Sequence, residues 1–382
     1  MTVNFDYDEE QLALQETLRR FIGREYDFEK RRTSIASADG FSRSVWSKFA
    51  DLGILAMPFP GSLDGADGTA VDTMLVMEIL GRGLVVEPYL TTVVLCGGLI
   101  RDAGSDSQQR ALLPRIARGT LLMALAHHEP GTRYESRHVA TWARREGSRY
   151  VIDGAKTVVL GGDAADKLIV SARTAGDVRD DAGISLFIVD AKASGVRVIG
   201  YPTQDDRRAA DVELAGVRVG ADALVGERDR ALPIVERAID RSIAALCAEA
   251  VGIMSVLNEA TLEYLKVRKQ FGQPIGSFQA LQHRMVDMVV ATEQARSMAT
   301  LAAVRADSHD AAERRMAISA AKAHVGQASR RVGQEAVQLH GGMGVVDALA
   351  VSHCFKRLTM INATFGDADH HLGYVSDRML VA

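Results

Sequence analysis

The sequence predicts a mostly α-helical chain with a small β domain in its middle, and three observations predict it. Apolar residues recur at helical spacing from about Asp8 to Arg118 and again from about Ala231 to the end. Between about Leu121 and Val225 the pattern changes to short branched apolar runs separated by Gly- and Asp-rich turns. Aromatics make up only 5% of the 382 residues while Ala is abundant, a composition that suits helices. The expected organisation is an N-terminal helical domain over 1–120, a middle β domain over 121–228 and a C-terminal helical bundle over 229–382.

Each element has its own signal. Asp8 can cap a first helix whose apolar stripe is Leu12, Leu14, Leu18, Phe21 and Ile22. A second helix runs over Ser44 to Leu52, with Trp46, Phe49 and Leu52 spaced for one face. The stretch Gly61 to Gly68 is a loop by its turn residues, and helical pattern resumes from Val71 to Leu84 and from Leu90 to Ile100. Tyr150 to Lys156 reads as a strand entering a turn. Lys167 to Ala172, Ile184 to Val189, Ala215 to Val219 and Leu224 to Gly226 complete the β domain. Long helical patterns over Ala244–Lys266, Ser277–Ala306 and Ala311–Gln338 predict an antiparallel four-helix bundle.

Composition limits the function classes. Apolar content of 47% and charged content of 25% are ordinary for a globular protein, and a net charge of −4 offers no basic field for nucleic acid or an anionic membrane. Cys96, Cys247 and Cys354 lie far apart without metal-ligand spacing, which predicts a reducing, cytoplasmic setting. The acidic start, Met1 to Glu10, has no apolar run of a signal peptide, and no run of about eighteen apolar residues predicts a membrane span.

Two segments carry most of the functional information. Arg268-Lys269-Gln270-Phe271-Gly272-Gln273-Pro274-Ile275 closes one helical pattern, and Gln338-Leu339-His340-Gly341-Gly342-Met343-Gly344 closes another. An Arg beside an aromatic ring offers a planar cation for phosphate and a flat face for a ring, and a Gly-Gly pair lets the backbone approach a bulky ligand. In their order and their setting between long helices, these segments resemble the acyl-CoA dehydrogenase family. That resemblance extends over almost the whole chain and implies the family's fold and FAD as cofactor. It also implies α,β-dehydrogenation of an acyl-CoA thioester, with an electron-transferring flavoprotein as acceptor. In the family the two segments reach across a dimer interface to the pyrophosphate and adenine end of the neighbouring subunit's FAD. Arg268 and Phe271 match the Arg-x-x-Phe pair, Gln279 the glutamine opening the next helix, and Gln338, Gly341 and Gly342 the Gln-x-x-Gly-Gly. These six are the expected cofactor-binding residues.

Elsewhere the chain departs from the family pattern. Thr-Glu-Pro-Gly reads His128-Glu129-Pro130-Gly131, and Trp-Ile-Thr-Asn-Gly reads Val158-Val159-Leu160-Gly161-Gly162. The usual base, the Glu of Tyr-Glu-Gly-Thr, is replaced within Thr364-Phe365-Gly366-Asp367. The alternative base position, on the first bundle helix, is Ser242, with Asp240 and Glu249 nearby. No catalytic residue is assigned. The His-rich stretches around His127-His128, His353 and His370-His371 have no convincing metal geometry. The ending resembles the small, or β, subunit of heteromeric bacterial acyl-CoA dehydrogenases of pimeloyl-CoA and steroid-chain catabolism. The expectation is one half of an α2β2 assembly that completes a catalytic partner's FAD site. An active homotetramer with Asp367 as base and a flavin-free scaffold stay open beside it.

Overall fold

The computed structural model describes residues 7–381. The N-terminal part forms α1 (Glu9–Glu25), α2 (Phe28–Ala36), α3 (Arg43–Asp51), α4 (Ala70–Arg82), α5 (Gly98–Ala103) and α6 (Asp106–Ala117). Strands β1 (Met123–Ala126), β2 (Trp142–Glu146), β3 (Arg149–Leu160), β4 (Lys167–Arg173), β5 (Ile184–Asp190), β6 (Val196–Pro202), β7 (Arg208–Gly220) and β8 (Leu224–Val225) follow. Then come α7 (Leu232–Val267), a hairpin of β9 (Lys269–Gln270) and β10 (Gln273–Pro274), α8 (Gln279–Ala306), α9 (Ala311–His340), α10 (Ala350–Ala363) and α11 (Ala368–Val381). The chain divides into two compact units. One joins the chain up to Thr33 with Ala70–Val85 and everything from Ile243 onward; the other joins Ser34–Thr69 with Val86–Ser242.

In the first unit α9 is packed by α8, α10 and α11. Helix α1 starts at a capping box in which Asp8 accepts from the Gln11 N–H and the Gln11 side chain returns to the Asp8 N–H. Of its predicted stripe, Leu18 and Ile22 are buried while Leu12 faces out. Helix α7 starts at Leu232 rather than the predicted Ala244, because Pro233 suits a first helical turn, where its missing N–H costs nothing. It is also long and apolar enough to cross a membrane by length and composition, but 78% of its most apolar window is buried within the fold, which makes it a core helix. Helices α4 and α7 cross backbone to backbone. A Cβ at Gly252 would lie 1.9 Å from the Glu78 carbonyl oxygen, and one at Gly81 would lie 2.2 Å from that of Glu249.

The second unit is built on a sheet ordered β6-β7-β3-β2-β4-β5-β8, with β1 parallel to β4. Its core gathers Tyr150, Ile152, Leu168, Val170, Phe187, Val212 and Val217, each contributing about 1.5–3 kcal/mol on burial if large and apolar. Strand β3 corrects the sequence reading. It does not turn after Lys156 but continues to Leu160, with register shifts against β7 between Ile152 and Gly154 and between Lys156 and Val159. Those bulges give the glycine-containing stretch the look of a turn while the ladder persists beyond it. The predicted helix over Leu90 to Ile100 is a π-helix over Tyr89–Gly97 that passes into α5. Thr92 there exchanges hydrogen bonds with the Met123 backbone, its Oγ1 donating to the carbonyl at 3.2 Å and accepting from the N–H at 3.3 Å.

Candidate cofactor cradle and catalytic positions

Helix α7 gives way to a tight arch. The Arg268 N–H still donates to the Tyr264 carbonyl at 2.9 Å, and the Ile275 N–H closes the arch on the Arg268 carbonyl at 2.8 Å. Its tip is Phe271 and Gly272, both left-handed at φ 52° and 80°, the geometry a two-residue hairpin demands. Glycine adopts it freely; phenylalanine does so at a cost of about 1–2 kcal/mol. The Phe271 ring is 90% exposed and meets Phe278 edge-on at 6.1 Å. The Arg268 guanidinium is exposed and makes no ion pair or hydrogen bond among the described residues. Gln279 opens α8 and is also exposed.

The second segment ends α9. Gly341 has φ 60° and ψ −140°, and its N–H donates to the carbonyl of Gln338, whose side chain is exposed. Nothing lies within 4 Å of where a Cβ would stand on Gly341 or Gly342. Gly344, by contrast, is pressed against α9, with a virtual Cβ 2.5 Å from the Val337 carbonyl oxygen. The two segments come together at their roots. Tyr264, one turn before Arg268, stacks on His340, directly before Gly341, with centroids 4.5 Å apart and planes at 28°. Sequence reasoning did not single out Tyr264 or the ring of His340, although an aromatic one turn ahead of Arg268 was a readable signal. An unpaired guanidinium, an exposed ring and two open glycines fit the anionic, ring-bearing end of a dinucleotide.

The positions where a base would stand are committed otherwise. Phe365 is half-buried, with φ 58°, and its carbonyl accepts from His371 Nε2 at 3.0 Å. Burial, with the nearby Lys322 charge, pushes His371 down to about 3, so the imidazole is neutral; its Nδ1 meets Ser319 Oγ at 3.2 Å. Lys322, buried and lowered to about 8, donates to the carbonyls of Ile361 and Thr364. Asp367 Oδ1 accepts the His370 N–H at 2.8 Å and so caps α11. Ser242 is fully buried, its hydroxyl turned back to the Ala238 carbonyl at 2.9 Å. Glu249 is held by the Arg357 guanidinium through two 2.7 Å bonds, both side chains buried.

The sheet unit holds the remaining altered motifs on an intact scaffold. Lys156 Nζ donates to Glu129 Oε1 at 2.7 Å, Ser171 Oγ at 3.0 Å and the His127 carbonyl at 3.2 Å. Burial lowers Lys156 to about 8 against the pull of Glu129. Burial raises Glu129, but the Lys156 ammonium and the N–H groups of Thr141 and Ala140 outweigh it and hold the carboxyl low. Burial depresses both His127 and His128; the neighbouring His128 and then the Lys156 ammonium add to it at His127, and the Lys156 ammonium does so at His128. Asp211 Oδ1 accepts from Thr157 Oγ1 at 2.7 Å and Tyr201 OH at 3.1 Å, which fixes the β3 bulge and leaves Val158 left-handed at φ 51° and 46% exposed. His353 lies between Arg31, 3.2 Å from Nδ1, and the Asp347 carbonyl, 2.9 Å from Nε2. Among the described residues no three His, Cys, Asp or Glu side chains converge as metal ligands.

Comparison with known proteins agrees with this architecture. Residues 8–120, 124–214 and 232–380 match the N-terminal, middle and C-terminal domains of acyl-CoA dehydrogenase in turn. The acyl-CoA dehydrogenase FadE12 of Mycobacterium tuberculosis is 30% identical over 91% of this chain and 90% of its own. Among solved structures, the ChsE4-ChsE5 complex of the same organism aligns over 100% of both chains at 27% identity with a TM-score of 0.89. The Tcur3481-Tcur3483 steroid ACAD aligns over 98% of both at 27% identity with a TM-score of 0.87.

Proposed function

The chain belongs to the acyl-CoA dehydrogenase family, whose members are FAD flavoproteins, and from that premise we propose that it is a subunit that completes a partner's FAD site. Arg268 would hold the anionic end of FAD by charge-assisted hydrogen bonds, Phe271 would offer its ring, and Gln279, Gln338 and the Gly341–Gly342 backbone would complete the cradle. Bound FAD supplies the two-electron oxidation of an acyl-CoA thioester. What this chain lacks is an acceptor for the α proton. The observation that carries the proposal is Phe365, a hydrocarbon ring at the family's base position, while Asp367 caps a helix and Glu249 is locked to Arg357. Losing a general base costs about 10²–10⁴ in rate.

Two features support a heteromeric assembly. The expected cofactor-binding residues that match the family are those serving a neighbour's flavin, whereas His128, Val158, Leu160 and Phe365 replace residues that would serve the chain's own. The ChsE4-ChsE5 structure is a complex of two proteins, and the steroid ACAD is named for two. A steroid-chain acyl-CoA is therefore the first substrate class to test, with an electron-transferring flavoprotein as acceptor. The chain purified alone is expected to be colourless and inactive with acyl-CoA, and to join a flavin spectrum only with a flavin-competent partner. A yellow chain that acyl-CoA bleaches by itself overturns the proposal in favour of a self-sufficient enzyme. Absence of flavin both with and without partners leaves a scaffold.

A further inference from the structure

We propose that Tyr264 and His340 are a positioning pair, whose ring stack locks the Arg268 arch to the Gly341–Gly342 turn so that both present one cradle to FAD. This rests on the reading that both segments serve FAD. Each segment is fastened to its own helix. The arch is fastened to α7 by the Ile275 N–H on the Arg268 carbonyl, and by Gly276, whose virtual Cβ would lie 2.9 Å from the Leu265 carbonyl oxygen. The turn is fastened to α9 by Gly344 against Val337, and its exit is held by His353 on the Asp347 carbonyl. The stack spans α7 and α9, and it does so at the residues from which the two segments spring. Tyr264 lends its carbonyl to the first N–H of the arch. His340 is buried, and its Nδ1–H donates to the Ala336 carbonyl at 2.8 Å, which fixes the plane of the ring.

Two separately anchored segments bind one ligand well only if their spacing is set before the ligand arrives, because misplacement by about 1 Å weakens both contacts. Stacked rings supply that spacing without a charge or a flexible stem. Neither ring needs to touch the cofactor; their role runs through Arg268 and the glycines.

The test uses the flavin-loaded assembly purified from its native host, with FAD as the probe and the recovery of free-flavin fluorescence on dilution as the readout. Tyr264→Leu and His340→Leu are each expected to raise the FAD dissociation constant ~3- to 10-fold. Tyr264→Phe, which keeps the ring, is expected to match the unaltered protein, and the double Leu variant to be no worse than either single. Thermal melting of each flavin-free variant reports the fold separately. Equal losses for Tyr264→Leu and Tyr264→Phe, or losses that simply add in the double variant, overturn the pairing. Arg268→Ala serves as the control for the parent reading, with a loss of tenfold or more expected. If Arg268→Ala weakens FAD and Tyr264→Leu does not, the positioning inference alone fails. If Arg268→Ala has no effect, the cradle reading fails and takes the inference with it. Should Tyr264→Leu not fold, His340→Leu set against His340→Phe makes the same comparison.

Discussion

Three of the residues that mark this chain's similarity to or departure from its family share an uncommon backbone. Phe271, Phe365 and Val158 have φ of 52°, 58° and 51°, a left-handed region that costs a side chain with a Cβ about 1–3 kcal/mol. Such strain persists only where the surroundings hold it, and here they do: a two-residue hairpin, a loop clamped by Lys322 and His371, and a bulge fixed by Asp211. Phe271→Gly separates strain from recognition. Relief at φ 52° should leave melting of the isolated chain unchanged or raise stability by up to about 1 kcal/mol, while flavin retention in the assembly falls. A parallel fall in both would show that the ring supports the fold. At this scale the sequence showed which side chains were present and which were missing. It did not show that Asp367 and Glu249 were already engaged, because a helix cap and a buried ion pair to Arg357, 108 residues away, depend on tertiary structure.

Among the elements, long helices were legible because their apolar period extends over many turns, whereas the bulges of β3 and the π-turn of Tyr89–Gly97 were not. Both are local departures that accompany tertiary contacts, the register shifts against β7 in one case and the Thr92–Met123 hydrogen bonds in the other. The junction of α10 and α11 carries a pH dependence. Lys322 is lowered from 10.5 to about 8 by burial. Between those values the unfolded chain holds a proton that the folded chain has released, so unfolding free energy rises with pH across that window. Below about 8 the buried charge is a standing penalty. Lys322→Met cannot titrate, so urea midpoints of the two proteins should converge or cross in favour of the unaltered protein between pH 7.5 and 10. Lys156 contributes with the same sign in both proteins and cancels in the comparison. Parallel curves would falsify this account of Lys322.

For the molecule as a whole, the outer face of α8 decides the expected state. Val286, Val289 and Val290, with Leu301 and Val304 further along, remain 38–59% exposed in a helix whose opposite side is buried against its own unit. A helix apolar on both sides seeks a second packing partner. We expect the chain not to be a stable monomer and to prefer a different family member over itself. Light scattering with and without a flavin-competent homologue measures this, and Val290→Glu should weaken the association. A monodisperse monomer indifferent to every homologue offered removes the subunit proposal. The order of helical, β and helical segments was readable from period alone, and the family from its resemblance at the Arg268–Ile275 and Gln338–Gly344 segments. The choice of partner was not, since complementarity is a property of two surfaces and only one is encoded here.

The crossing of α4 and α7 has a consequence for recognising distant kin. At Gly81 and Gly252 a single added carbon would collide with main chain, so any descendant that keeps the crossing keeps hydrogen at both places, however far its other letters drift. Letters at a site of chemistry answer to the reaction they serve. A steric veto between two backbones answers to no substrate. A relative that keeps this crossing is therefore expected to carry glycine at both places, whatever stands at its reactive positions.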